Sequence, residues 1–225
     1  MKRMKRNLRN RLITQEKPNA YASEQYKTIR TNIEYSSIDK KIRTLVITSA
    51  NPAEGKSTTA ANIAVSFAQA GKKVLLIDGD LRKPTVHTSF RIENKIGLIN
   101  ILVKKESLLT VVSDTMVENL SVLTSGPTPP NPAEMLNSKA MVEMLEEARV
   151  HFEIVILDTP PVLSVTDAQV LGNQCDATLL VVRSNVTERR DALEAKSRLQ
   201  QSRANLIGTI LHGVETHIDN YYLEK

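Results

Sequence analysis

The chain has 225 residues, 41% of them hydrophobic, which is enough to fill one α/β core. Its single cysteine, Cys175, excludes a disulfide framework and a metal cluster built from several cysteines. No apolar run approaches the roughly 18 residues of a membrane-spanning helix, and the first residues lack an apolar signal core. We therefore expect a cytoplasmic protein.

The formal net charge of +5 belongs mainly to the beginning of the chain. Without six basic residues among the first twelve, the remaining 24 basic residues face 25 acidic ones. We predict a basic flexible arm over residues 1–20, which could bind anionic lipid or an acidic partner, or could simply be solvated. It lacks aromatic residues and does not continue onto a basic face, so nucleic acid is not an expected partner. The six residues are Lys2, Arg3, Lys5, Arg6, Arg9 and Arg11.

A helix is predicted after residue 20, because apolar side chains recur there at spacings of four, three and four. These side chains are Ala22, Tyr26, Ile29 and Ile33, which would share one side of the helix. We expect this helix to open a folded domain over residues 21–212.

A buried strand, a loop and a helix are predicted within residues 44–59, which read TLVITSANPAEGKSTT. A loop that wraps a triphosphate needs backbone N–H groups, an ammonium for the β and γ oxygens and a hydroxyl for Mg²⁺. Gly55, Lys56 and Ser57 are residues of these types, so the sequence predicts that the loop binds a nucleoside triphosphate. The alternative is a chance Gly-Lys-Ser in an ordinary strand-to-helix turn, since Ala50 stands where the usual pattern has glycine.

Two further apolar runs end in aspartate. Residues 73–78 end in Asp78, with Asp80 just beyond, and residues 152–158 end in Asp158. Such runs alternating with helical segments are typical of a parallel sheet covered on both faces, in which ligands bind outside the carboxyl ends of the strands. The three carboxylates should therefore meet at the phosphate loop, where they could hold Mg²⁺. The alternative for each single aspartate is a cap on the following helix.

The rest of the domain alternates strands and helices. The predicted fold is therefore α/β, a P-loop NTPase-like, mostly parallel sheet with helices on both faces. The remaining predicted elements are a loop with a short helix in 85–105, a strand at 120–123, a rigid proline-rich loop at 126–132, helices at 137–149, 167–171 and 187–203, and strands at 177–182 and 206–213.

Four segments resemble the bacterial protein-tyrosine kinases of capsule and exopolysaccharide operons. They are residues 49–58, 75–84, 123–136 and 156–161, and the resemblance runs from about residue 23 to the tail in the same order. It implies an ATP-dependent kinase that autophosphorylates its C-terminal tyrosines and regulates exopolysaccharide or capsule synthesis.

In that family the nucleotide site consists of deviant Walker A, A′ and B motifs. Carried over by position, Lys56 would neutralise the β and γ phosphates, Ser57 would ligate Mg²⁺ and Thr58 would support the α phosphate. The residues implied to bind ATP are Asn51, Pro52, Ala53, Glu54, Gly55, Lys56, Ser57 and Thr58.

The aspartates carry over in the same way. Asp80 and Asp158 would hold the ion and its waters, so that Ser57, Asp80 and Asp158 form the metal site. Asp78 would accept the tyrosine proton, although it could equally be a metal ligand. Lys56, Asp78 and Asp80 are thus the implied catalytic residues. The chain departs from the family at Ala53, where glycine is usual, and at His212, where asparagine is frequent near the adenine.

Glu24, Lys27 and Arg30 resemble the family's E-x-x-R-x-x-R motif, with lysine replacing the first arginine. The motif implies subunit contacts in a ring-like homo-oligomer. Lysine keeps the charge but loses bidentate pairing. The alternative is an exposed helix with charges at supportive spacing.

The chain ends in a polar tail over residues 213–225 that carries Tyr221 and Tyr222. The family has a C-terminal tyrosine cluster that is its own substrate, which implies autophosphorylation here. The alternative is that the two aromatic rings dock the end of the chain on the domain.

The resemblance also implies partners. Gram-positive members are split proteins, so we expect a separate transmembrane adaptor that activates this chain and recruits it to the membrane, cytoplasmic protein-tyrosine substrates and an opposing tyrosine phosphatase. The alternative function is a positioning or partition ATPase, but that class typically has a signature lysine where Asn51 stands. A relative that binds nucleotide without turnover is a further alternative.

Overall fold

The computed structural model describes residues 12–36, 41–104 and 106–214. In this part of the chain, seven strands form one sheet in the order β3-β4-β2-β5-β1-β6-β7, and all pairings are parallel except β3 with β4. The predicted fold class is confirmed. The strands are β1 Thr44–Ser49, β2 Val74–Asp78, β3 Ser113–Asp114, β4 Leu120–Leu123, β5 Ile154–Asp158, β6 Ala177–Arg183 and β7 Leu206–His212.

Helices connect the strands. The region 85–105 holds two short helices rather than the one that was predicted, and α6 and β3 were not predicted. No helix of the described segments has the length and hydrophobicity to cross a membrane. The helices are α1 Ile13–Glu16, α2 Tyr21–Tyr35, α3 Lys56–Gln69, α4 Val86–Phe90, α5 Leu98–Lys104, α6 Leu108–Val111, α7 Pro132–Leu136, α8 Lys139–His151, α9 Asp167–Gln174 and α10 Arg189–Gln201.

The central strands β1, β2 and β5 are buried on both faces of the sheet. In β1, Leu45 and Ile47 face the cluster formed with α2 and α3, whereas Val46 faces the cluster formed with α5 and α8. Because successive side chains of a strand point to opposite faces, a continuous apolar run fills two cores at once. The carboxyl ends of these strands then meet at one edge of the sheet.

The N-terminal boundary differs from the prediction, which placed a flexible arm over residues 1–20. Thr14 of α1 is buried, and both its N–H and its hydroxyl donate to Asn62 Oδ1 of α3, at 3.0 and 2.8 Å. The amide of Gln69 donates to Thr14 O at 3.0 Å. These contacts satisfy backbone groups of residues 12–20 on the domain, so this part of the predicted arm is folded. Residues 1–11 lie outside the described residues.

Candidate functional site

The phosphate loop joins β1 to α3, as the sequence predicts. Gly55 has φ +97° and Ala53 has φ +64°, so both lie in the left-handed region. A Cβ on Gly55 would lie 2.4 Å from His212 Cδ2, so only glycine fits against the end of β7. Ala53 adopts its positive φ despite its side chain. The N-terminus of α3, which begins at Lys56, thereby points its free N–H groups at the loop, an arrangement that binds anions.

The side chain of Glu54 stabilises the phosphate loop through hydrogen bonds. Its side chain is buried, and its carboxylate accepts a hydrogen bond from Asn51 N at 3.0 Å and from Thr187 Oγ1 at 2.6 Å. The hydroxyl of Thr187 also accepts from Arg183 N at 2.8 Å. Within the predicted ATP-binding set, Glu54 thus shapes the loop through its side chain.

The C-terminal part of the chain adds two further contacts to the loop. Arg183 Nη1 donates to Ala53 O at 2.8 Å, and Asn51 Nδ2 donates to Asp191 Oδ2 at 2.8 Å. Sequence reasoning missed Arg183, Asp191 and Thr187, because they lie more than a hundred positions from the loop and only the adjacency of β6 to β1 brings them there.

Four predicted site residues converge at the carboxyl edge of the sheet. Lys56 Nζ lies 3.0 Å from Asp80 Oδ2, 3.5 Å from Asp158 Oδ1 and 3.2 Å from Ser57 Oγ. Burial would lower the pKa of Lys56, but the charges of Asp158 and Asp80 outweigh it and raise that pKa. The ammonium is therefore charged at neutral pH and neutralises the buried acids.

Asp78 is fully buried beside these groups. Its Oδ2 accepts from Thr85 N at 3.0 Å and Val86 N at 2.9 Å, and its Oδ1 accepts from Asp80 N at 3.3 Å. Asp78 therefore satisfies N–H groups at the start of α4, which was the alternative interpretation for a single aspartate. Burial, together with the charge of Asp158, raises the pKa of Asp78 to about 7. A carboxyl group with that pKa can exchange a proton at neutral pH.

The acids fit a magnesium ion. Both carboxylate oxygens of Asp158 are buried, and their polar contacts are few: Lys56 Nζ lies 3.5 Å from Oδ1, which is longer than an ordinary hydrogen bond. Burial raises the pKa of Asp158, although the charge of Lys56 and a hydrogen bond from the Ser57 hydroxyl oppose this. A buried carboxylate with so few donors suits a cation. The described residues contain no group of three His, Cys, Asp or Glu side chains that would cage a metal alone.

The remaining predicted residues lie apart from this centre. Pro52 is exposed at the outside of the loop, and Thr58 lies half-buried in the first turn of α3. Tyr221 and Tyr222 lie outside the described residues.

The charged motif on α2 forms local and inter-helical contacts. Lys27 Nζ lies 2.7 Å from Glu24 Oε1, and both side chains are exposed. Arg30 Nη1 instead donates to Ser66 O of α3 at 3.0 Å, and its Nε lies 3.9 Å from Glu34 Oε2. Glu24 and Lys27 therefore remain accessible at the surface, whereas Arg30 joins α2 to the helix that begins at the phosphate loop.

Known proteins share this architecture. A family model described as an AAA domain matches residues 42–189. The tyrosine-protein kinase YwqD of Bacillus subtilis (strain 168) is 54% identical over 211 residues, which cover 94% of this chain and 87% of that protein. The crystal structure of the chimerical protein CapA2B2 is 40% identical with a TM-score of 0.86, over 89% of this chain and 88% of that one.

The kinase domain of the Escherichia coli tyrosine kinase ETK is 33% identical with a TM-score of 0.88, over 98% of this chain and 87% of that one. These similarities cover the phosphate loop and all three aspartates.

A lysine paired with two buried acids beside an anion-binding helix end suits phosphoryl transfer, which asks mainly for positioning and charge neutralisation. The chain thus belongs to the bacterial tyrosine-protein kinase family and is an ATP-dependent protein-tyrosine kinase.

Proposed function

We propose that this kinase phosphorylates Tyr221 and Tyr222 in its own tail as well as cytoplasmic proteins, and so regulates exopolysaccharide or capsule synthesis. The supporting observation is the end of β7, where the His212 ring lies against Gly55 of the phosphate loop. Tyr221 follows His212 by nine positions, a distance of at most roughly 30 Å in an extended chain. Both tyrosines are therefore within reach of an active site, either their own or that of a neighbouring subunit.

In this proposal the loop residues 51–58 bind ATP. The N–H groups of the loop and of the first turn of α3 hold the phosphates, and Lys56 neutralises the β and γ oxygens. Ser57, Asp80 and Asp158 hold Mg²⁺, which when bound supplies further charge neutralisation at the transferred phosphoryl group. The buried carboxylate of Asp158, which has few donors from the protein, supports this assignment.

Asp78 takes the proton of the acceptor tyrosine. Its pKa of about 7 suits a general base, and its position beside Asp158 suits a site at the γ phosphate. Asp78→Asn keeps an oxygen for the N–H groups of Thr85 and Val86 but cannot accept a proton. We expect it to slow phosphoryl transfer about 100-fold or more at unchanged ATP affinity. A parental rate would leave Asp78 with its role in the loop alone.

Transfer occurs in trans, between subunits of a ring. A substrate segment that is tethered to one protomer has a high local concentration at an adjacent protomer. Each phosphate adds a charge of about −1.5 to −2 beside Asp219 and Glu224, so that the modified tail is repelled from the acidic, triphosphate-filled site. Phosphorylation would then release the tail and loosen the assembly.

Labelled ATP and purified protein test these steps. Phosphoamino-acid analysis should yield phosphotyrosine, and Tyr221→Phe with Tyr222→Phe should remove most of the label. A Lys56→Met subunit with intact tyrosines is then mixed with an active subunit that carries both phenylalanines. Label on the inactive subunit is expected; absence of label on that subunit, while wild type labels its own tail, would show transfer in cis.

Glu24, Lys27 and Arg30 contribute to the ring contact. Charge-assisted pairs across an interface fix its register, so Glu24→Ala should shift the assembly toward monomers in light scattering. Glu143→Ala on α8 is a matched control, because the Glu143 side chain is about as exposed as that of Glu24 and also forms an ion pair, with Lys139. Monomeric wild type at all concentrations, with and without nucleotide, would contradict the ring.

A separate transmembrane adaptor recruits the kinase to the membrane and activates it, and a tyrosine phosphatase opposes it. The resemblance to CapA2B2, a chimerical protein, supports a partner segment at this domain. We expect weak activity of the chain alone and strong stimulation by the cytoplasmic tail of the adaptor. Full activity that no such tail changes would contradict this arrangement.

A further inference from the structure

One ion pair joins the two loops that carry the acids of the site. Arg82 Nε lies 3.0 Å from Asp167 Oδ2, and Arg82 Nη2 donates to Asp167 Oδ1 at 3.2 Å. The pair is therefore bidentate, with both guanidinium N–H groups on one carboxylate. The Asp167 side chain is completely buried, whereas that of Arg82 is 39% exposed. The hydrogen bond that Arg82 donates to Asp167 raises the pKa of Arg82, so the guanidinium stays charged.

The pair bridges the loop after β2 and the segment after β5. Arg82 follows Asp80 by two positions, and Asp167 begins α9, the helix after Asp158. Nearer the sheet, a backbone bond from Gly79 N to Asp158 O, 2.8 Å long, joins the same two segments. The two connections lie on either side of Asp80 in the chain, so together they fix where the Asp80 carboxylate stands relative to Asp158.

Asp80 is also oriented from its own loop. Lys83 N donates to Asp80 Oδ1 at 3.0 Å, which leaves Asp80 Oδ2 for the Lys56 ammonium. Arg82 lies between Asp80 and Lys83, so its side-chain contact to Asp167 determines the path of the backbone that makes this bond. A shift of Arg82 would therefore reorient the Asp80 carboxylate without touching it.

We propose that Arg82 and Asp167 are positioning residues for the kinase reaction, which set the geometry of Asp80 and Asp158 and thereby the affinity of the site for its divalent cation. The inference rests on the proposed role of Asp80 and Asp158 as metal ligands. Groups that orient metal ligands from outside typically change metal affinity 10–100-fold when they are lost. A pair that served the fold alone would instead lower thermal stability and leave metal affinity unchanged.

The test measures metal binding separately from nucleotide binding and from kinase activity. Binding of Mn²⁺ is followed by electron paramagnetic resonance in the presence of a non-hydrolysable ATP analogue, and binding of the analogue is followed separately in EDTA. Arg82→Met should weaken Mn²⁺ binding roughly ten-fold or more and leave analogue binding in EDTA within about two-fold. Arg82→Lys, which keeps the charge but loses the bidentate geometry, should recover part of the loss. Lys139→Met, which removes an exposed ion pair on α8, is the control.

The rate of phosphoryl transfer is then measured as a function of Mg²⁺ concentration. Half-maximal activity of Arg82→Met should require roughly ten-fold more Mg²⁺ at saturating ATP, with most of the maximal rate restored at high Mg²⁺. If the unpaired Asp167 prevents folding, the double variant Arg82→Met with Asp167→Asn, which has neither the paired side chains nor a buried unpaired charge, is measured instead. Parental Mn²⁺ affinity in folded variants would overturn the proposal. Parental Mn²⁺ affinity in Asp158→Asn would instead refute the metal-site assignment on which it rests.

Discussion

The two sides of the nucleotide site are held in place by different means. The phosphate loop is secured by several separate contacts, from Arg183, Thr187 and Asp191 and from the ring of His212. On the other side, Asp78 and Asp158 are fixed by the register of adjacent strands, in which they are paired, and Asp80 is held by Lys83 N and by the neighbouring Arg82–Asp167 pair.

This difference predicts how each side responds to substitution. On the phosphate-loop side each contact is one hydrogen bond or one packed ring, so a single loss leaves the others in place. On the acid side the groups are buried charges, and removal of one partner leaves another charge uncompensated, which is more costly than the bond itself. Substitutions of the buried acids, or of the Lys56 ammonium that pairs with them, should therefore have larger effects than substitutions in the phosphate loop.

Lys56→Met should have the largest effect, because Lys56 belongs to both sides. It begins α3 on the phosphate loop, and its ammonium lies between Asp80 and Asp158. We expect phosphoryl transfer to fall about 1,000-fold or more, since positioning and charge neutralisation supply most of the catalysis. Single-turnover transfer from labelled ATP measures this. A Lys56→Met protein with the parental rate would defeat the assignment of the site.

The central part of this site could be predicted from the sequence, because it lies next to strands with strong signals. Asp158 ends a buried apolar run, Asp80 lies two positions beyond another, and Lys56 and Ser57 begin the helix after a third. Parallel strands bring such positions together. The contacts of Thr187 and Asp191 could not be predicted, because they depend on where β6 and α10 lie in three dimensions. The boundary at residue 20 was wrong for a related reason: the packing of Thr14 on Asn62 leaves no pattern in a short polar segment.

Gly55→Ala should have the largest effect among the substitutions confined to the phosphate-loop side. The new Cβ would meet the His212 ring at 2.4 Å, and the residue would keep a φ of +97° that costs any L side chain energy. We expect ATP affinity to fall about 10- to 100-fold, from a strain of order 1–3 kcal/mol. His212→Ala in the same protein removes the clash but not the strain at φ. Partial recovery of ATP affinity is therefore expected. Full recovery would show that the clash with the His212 ring is the only reason why position 55 requires glycine.

Thr187→Val should have a smaller effect on the same loop. It removes the 2.6 Å hydrogen bond to Glu54 Oε1, while Asn51 N still donates to the other carboxylate oxygen. A hydrogen bond to a charged group is worth about 1.5–3 kcal/mol, so ATP affinity should fall about ten-fold or somewhat more. Thr209→Val on the exposed edge of β7 is the control for the change of residue type. Equal ATP affinities of the two variants would mean that the position of Glu54 does not depend on its hydrogen bond with Thr187.

The smallest expected effect is on stability and comes from Asp78. The pKa of Asp78, about 7, exceeds its ordinary value of 3.8 because burial disfavours the charged form. The folded state therefore binds a proton more tightly than the unfolded state, so this group makes the protein less stable as pH rises from about 4 to about 7, with no further change above that. Asp78→Asn cannot ionise and escapes this loss. Urea unfolding at a series of pH values should show the free energy of unfolding of Asp78→Asn rising relative to wild type between pH 4 and pH 7 and then staying constant. A difference that does not change with pH would mean that Asp78 is ionised in the folded protein throughout this range, so that it could not act as a base poised near neutral pH.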